Sequence, residues 1–152
     1  MPESTPSRPA VTVCTVVERD GRYLLVQEHT RAGLRLNQPA GHLECGESLA
    51  AGAARETLEE TGWHVQPTAL IGVYRWTSRE TGVTFVRFSF AGTATAHDPA
   101  RPLDTGIVRA LWMTYDEIVA SRAEHRSPLV LRCVDDFRAG VRLPIDLVQE
   151  IA

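Results

Sequence analysis

Cysteine is scarce in this chain, and what there is cannot form a covalent framework. Cys14, Cys45 and Cys133 are odd in number and widely spaced, without a CxxC pair, which argues against a disulfide scaffold or a cysteine zinc site and predicts reduced thiols. Cys45 with His42 supplies too few ligands for zinc. No apolar run approaches membrane-spanning length, and the N-terminal MPESTPSRPA has no apolar centre; no membrane contact and a cytoplasmic location are therefore expected. Basic residues are also not in excess: 16 Lys and Arg face 19 Asp and Glu, a formal charge of −3, so the footprint of an extended nucleic-acid binder is missing. Internal repeats and low-complexity tracts are lacking too. No Ser or Cys comes with the His and acid partners of a nucleophilic site. At 152 residues the chain suits one domain burying roughly two-thirds of its unfolded surface. Residues 1–9 are expected to be a flexible tail, with 10–152 as that single domain.

The elements alternate in type. Ala10 to Glu18 is apolar on both faces, as in a covered central strand. Arg19 to Gly21 is a turn, Arg22 to Glu28 a second strand and Thr30 to Leu36 a loop. Ser48 is a candidate N-cap for a helix ending near Thr61, with Leu49, Ala50, Ala53, Ala54 and Leu58 as its buried stripe. Gly52 in mid-helix costs about 1 kcal/mol relative to Ala, which suggests close packing against a sheet. Runs at Thr68 to Trp76 and Val83 to Gly92, joined by a turn at Glu80 to Gly82, predict a hairpin. In the second run Val86, Phe88 and Phe90 alternate with Arg87 and Ser89, pointing the aromatics inward and Arg87 the other way. There Arg87 either meets solvent or holds a phosphate. Ile107 to Met113 is a further strand. Tyr115 to Ser121 and Ser127 to Arg138 are helical, and Gly140 is a stop.

The segment GHLECGESLAAGAARETLEETGW, Gly41 to Trp63, carries most of the chemistry. Glu56 precedes Glu59 by three residues and Glu60 by four, so the three carboxylates share one side of the helix, at a cost of roughly a few tenths of a kcal/mol per like-charged pair. Glu59 and Glu60 also sit in the last turn before Gly62, where the negative end of the helix dipole repels them by roughly 0.3 to 1 kcal/mol each. Stability alone would not select this arrangement. A hard divalent cation, Mg²⁺ or alternatively Mn²⁺, resolves it, because such ions are held by a few carboxylates together with substrate phosphates.

In register, Gly41, Glu47, Arg55, Glu56, Glu59, Glu60, Gly62 and Trp63 follow the pattern of a glycine, five residues, a glutamate, seven residues, arginine-glutamate, two residues, two glutamates, one residue, glycine and a hydrophobic residue. The chain thus resembles the Nudix hydrolases. Thr57 departs from the usual Ile, Leu or Val, and its hydroxyl needs a partner such as a carbonyl one turn back. LNQPAGHLE, the spacing of Tyr74, Trp76, Arg87 and Phe88, Asp104 ahead of Trp112, and the late RSPLV with Arg132, Cys133 and Pro144 resemble the NudJ-type phosphatase branch. Leu36 stands where that branch carries Trp before Asn37, a loss of ring stacking worth about 1 to 3 kcal/mol if the Trp stacks on a base.

The resemblance implies an α/β class, an α/β/α sandwich around a central mixed β-sheet. It also implies Mg²⁺-dependent hydrolysis of small-molecule diphosphates: nucleoside di- and triphosphates, and thiamine diphosphate or its hydroxymethylpyrimidine diphosphate precursor. Glu56, Glu59 and Glu60, with the carbonyl of Ala40, are the expected metal ligands. Arg55 is expected to orient a carboxylate such as Glu56 through a paired hydrogen bond. Glu47 is expected either to orient a neighbouring ligand in the same way or to act through a water, and Gly41 and Gly46 to permit the loop's backbone or simply to form an ordinary turn. Glu59 serves as base or ligand, and Asp104 as a further ligand, a proton acceptor or a plain surface carboxylate. Asn37, Gln38, Trp76 and Arg87 are candidate substrate contacts. Alternatives are an ADP-ribose or dinucleotide hydrolase, a nucleotide sensor without turnover, and an interaction scaffold using the stripe Leu129, Val130, Cys133, Val134 and Phe137. Monomer and homodimer both remain open.

Overall fold

A computed structural model describes residues 7–152. Of the expected N-terminal tail, 1–6 lie outside the described residues, while 7–9 are exposed and without regular structure. Seven strands form one sheet: β1 (Ala10–Arg19), β2 (Arg22–Thr30), β3 (Gly33–Asn37), β4 (Ala40–His42), β5 (Trp63–Thr77), β6 (Thr84–His97) and β7 (Ile107–Thr114). The path runs β3-β2-β1-β6-β5, with β4 beside β1 and β7 beside β2. β1 and β6 are parallel and the other pairs antiparallel, so the sheet is mixed, as expected. Helix α1 (Leu49–Thr61) packs on β1 and β5, and α2 (Tyr115–Ala120) and α3 (Leu129–Arg138) lie against β7, β5 and β1.

Strand β1 is central because both its faces are covered. Val13 packs with Ala53, Leu70 and Phe90 beneath α1. Its neighbour Cys14 packs with Ile71, Cys133 and Val134 on the α3 side, as the two-residue period of a strand requires. Cys14 and Cys133 are buried, Cys45 is exposed and all three are free thiols. The apolar stripe of α3 covers the sheet: Leu129, Val130, Cys133 and Val134 are buried. Among the described residues no helix is long and apolar enough to cross a membrane.

Two expectations about elements need correction. The segment Thr30 to Leu36 is not all loop: a tight turn at Arg31 and Ala32 returns the chain as β3, pairing with β2 from Thr30↔Gly33 to Val26↔Asn37. The turn is closed by the Thr30 hydroxyl, which donates to the Gly33 carbonyl at 2.7 Å. Strands β5 and β6 are also much longer than expected, because bulges at His64/Val65, Pro67/Ala69 and Leu70/Gly72 carry the pairing past Pro67, each bulge absorbing a residue that would break a regular ladder.

Candidate active site

Helix α1 is capped at both ends. The Ser48 hydroxyl accepts from the Ala51 N–H, and Gly62 takes the left-handed conformation with φ 75°, which glycine adopts without a Cβ penalty. Its buried face is not the expected apolar stripe. Gly52, Ala53, Glu56, Thr57, Glu60 and Thr61 are buried, whereas Leu49, Ala50, Ala54 and Leu58 are only half-covered. A Cβ on Gly52 would lie 3.3 Å from Val13 and 2.7 Å from the Glu47 carboxylate, so this glycine lets the helix close on β1. Thr57 solves its hydroxyl problem twice, donating to the Ala53 carbonyl at 2.8 Å and meeting the Thr15 hydroxyl at 2.7 Å.

The packing of α1 thus turns two carboxylates toward the sheet. Ligand oxygens of Glu56, Glu59 and Asp104 converge within 4.8 Å of one another. Asp104 reaches them from the β6–β7 loop, which is tied to the helix end: the Asp104 N–H donates to the Glu59 carbonyl at 3.0 Å and the Asp98 N–H to the Gly62 carbonyl at 2.8 Å. These bonds also satisfy carbonyls that a helix end leaves open. Glu60 lies deeper and its carboxylate accepts from the Ala40 N–H at 2.7 Å. Burial, with the charges of Glu28, Glu56 and Asp104 adding to it and the Ala40 bond opposing, raises Glu60 from its ordinary value to about 8. Burial likewise raises Glu56, against the pull of Arg55.

Arg55 is the hub of this acidic cluster. Its guanidinium forks onto Glu47, with Nε at 2.9 Å and Nη2 at 2.7 Å, and Nη1 donates to Glu56 at 2.9 Å and Glu59 at 3.1 Å. The paired hydrogen bond therefore goes to Glu47 rather than to Glu56, correcting the expectation, and Glu56 and Glu59 share the remaining nitrogen. Glu47 is held below the usual carboxylate range, first by its bond from Arg55. One guanidinium cannot neutralise Glu47, Glu56 and Glu59 with Asp104 beside them. The excess negative charge, converging hard oxygens and partial burial fit a divalent cation.

Gly41 joins this cluster to an adjoining cleft. A Cβ there would overlap the Glu56 carboxylate, so the glycine is required by close approach rather than by a special φ. Gly46 does have φ 84°. The cleft is lined by Ala40, Gly41, Asn37 and Arg87, and by Trp76 and Phe85, whose rings stack at 5.8 Å and 20°. Arg87 is buried rather than solvated: β6 is covered on both sides, and Nη1 and Nη2 donate to Gln38 at 3.2 Å and Asn37 at 3.3 Å. Gln38, 1% exposed, lies behind the cleft wall and donates to the Val130 carbonyl at 2.6 Å. Leu36 belongs to the core around α3.

Glu28, Phe85 and Arg126, also of the cleft, were not among the candidate site residues. Glu28, 9% exposed, receives Arg126 Nη1 at 2.7 Å and Asn37 Nδ2 at 3.4 Å. A register shift between Gln27 and Glu28 sets its direction, and its partner Arg126 is 98 positions away; neither is visible in local pattern.

Comparison with known proteins agrees with this geometry. The NUDIX domain family matches residues 6–133. The chain is 37% identical over 141 residues to the phosphatase NudJ of Escherichia coli K12, covering 93% of this chain and 91% of that protein. A NUDIX hydrolase from Nitrosomonas europaea superposes with a TM-score of 0.92 at 51% identity, covering 95% of this chain and 98% of the other. A MutT protein from Methanosarcina mazei Go1, 22% identical and covering 90% of this chain and 99% of its own, shares the fold with a TM-score of 0.69.

Proposed function

The chain belongs to the NUDIX family and is a hydrolase of phosphorus-containing acid anhydrides; from that premise we propose that it is a Mg²⁺-dependent phosphatase of small organic diphosphates. Its substrates in this proposal are nucleoside di- and triphosphates, and thiamine diphosphate or its hydroxymethylpyrimidine diphosphate precursor. Residues 10–152 act as one catalytic unit. The observation that carries the proposal is the convergence of Glu56, Glu59 and Asp104 oxygens within 4.8 Å beside a cleft with a stacked aromatic pair. The name phosphatase borne by the NudJ relatives supports release of orthophosphate.

Glu56, Glu59 and Asp104 would supply the oxygens that hold the cation, with Glu60 and the carbonyl of Ala40 as further candidate ligands. Mg²⁺ held there would lower the pKa of water and offset the charge that develops in the reaction. Arg55 fixes the carboxylate rotamers and Glu47 anchors Arg55, so both are positioning residues. Glu59 or Asp104 accepts the proton of the attacking water, whose oxygen bonds to phosphorus as the anhydride P–O bond breaks. Asn37 and Arg87 set the polar wall of the cleft, with Gln38 holding Arg87, and Trp76 offers a face to the organic group.

The test is orthophosphate and diphosphate release from nucleoside di- and triphosphates, thiamine diphosphate, hydroxymethylpyrimidine diphosphate, ADP-ribose and dinucleoside polyphosphates, with Mg²⁺ and with EDTA. EDTA-sensitive orthophosphate release from the first four classes is expected. Turnover confined to ADP-ribose or dinucleotides would overturn the substrate assignment, and no turnover at all would favour a nucleotide sensor.

A further inference from the structure

We propose that Glu28 and Arg126 form a ring-reading pair that selects substrates whose heterocycle presents an amino group beside an unprotonated ring nitrogen. The inference rests on the diphosphate hydrolysis proposed above and concerns the adjoining cleft. Glu28 is almost fully buried, yet only its Oε1 is committed, to Arg126 Nη1 at 2.7 Å and Asn37 Nδ2 at 3.4 Å. Oε2 takes part in no hydrogen bond among the described residues, and Glu28 lines the cleft. The Arg126 side chain is about half exposed, 49%, and Nη1 is its only side-chain nitrogen with a hydrogen-bond partner among the described residues. Its backbone is pinned, the N–H donating to the Leu36 carbonyl at 2.8 Å.

The ion pair therefore presents an acceptor next to a donor, beside the Trp76 and Phe85 rings that also line the cleft. A flat heterocycle laid on an aromatic face is held whatever its edge; the edge is read by what borders it. A carboxylate oxygen accepts from an exocyclic amino group, and a guanidinium N–H donates to the adjacent ring nitrogen. Cytosine and adenine carry that edge. Uracil and hypoxanthine carry a carbonyl beside a ring N–H, which sets oxygen against Oε2 and leaves the polar groups unpaired. Glu28 and Arg126 are on this account specificity-determining residues, not catalytic ones.

The experiment compares kcat/KM for CDP against UDP and for ADP against IDP, with orthophosphate release in Mg²⁺, for wild type and for Glu28→Gln and Arg126→Leu. Wild type should favour the amino member of each pair by roughly tenfold to a hundredfold, the range one bidentate contact gives to base discrimination. Glu28→Gln, whose amide can also donate, should shrink or reverse both ratios, and Arg126→Leu should shrink them while CDP and UDP remain substrates. Equal wild-type kcat/KM within each pair overturns the proposal with no variant needed, as do ratios unchanged in Arg126→Leu. Absence of turnover on all four diphosphates would instead overturn the function proposed above, and the ring-reading role with it.

Discussion

Glu56 is accommodated by the absence of a single methyl group. Its carboxylate occupies the space that a side chain at residue 41 would fill, while Arg55 Nη1 holds it from the other side at 2.9 Å. Gly41→Ala must therefore displace Glu56 or β4. A displacement of about 1 Å at a reacting centre costs on the order of 10²-fold, and kcat should fall by that order while the far-UV spectrum stays that of wild type. Wild-type turnover in this variant would show that Glu56 has no part in the chemistry. At this scale the box glutamates and Arg55 were legible because their spacing is both unusual and unfavourable without a ligand. The partner of Thr57 one turn back, Ala53, was also foreseeable; its second partner, Thr15, was not, since it depends on how α1 docks. Of the two alternatives for Arg87 only the solvated one fails, because strand alternation tells two faces apart but not whether both are covered; Arg87 does line the cleft.

At the scale of elements, α1 buries Glu56 and Glu60 where a surface helix would bury only apolar groups, and this has a pH signature. In the folded protein Glu60 is raised from its ordinary 4.5 to about 8, so between those values the folded state holds a proton that the unfolded chain has released. Unfolding free energy then decreases as pH rises across this window. The metal-free protein is expected to lose thermal stability from pH 5 to pH 8, and added Mg²⁺ should restore most of it at pH 8, because only the folded state has the site. A thermal midpoint that stays flat over this range would mean that Glu60 is solvated or already paired. The hairpin β5–β6 was legible from its alternation and turn, but its full length was not, because bulges interrupt the two-residue period. Strand β3 was lost for a related reason: five residues beginning at Gly33 are too short to display a period against the polar turn before them.

The whole molecule gathers its site from distant places: Glu28 on β2, Gly41 on β4, Glu56 and Glu59 on α1, Arg87 on β6, Asp104 between β6 and β7, and Arg126 before α3. Local motif and resemblance therefore pointed to the carboxylates and to Asn37, Trp76 and Arg87 of the cleft, whereas Glu28 and Arg126 emerged as a pair only from strand order and packing. The central claim is that Glu56, Glu59 and Asp104 together hold a divalent cation, and direct titration of Mn²⁺ followed by electron paramagnetic resonance tests it without reference to any substrate. Wild type should bind Mn²⁺ in competition with Mg²⁺, and Glu59→Gln should weaken binding by at least the roughly 10- to 100-fold that loss of even an outer partner costs. Equal Mn²⁺ affinity in the two proteins would contradict the account.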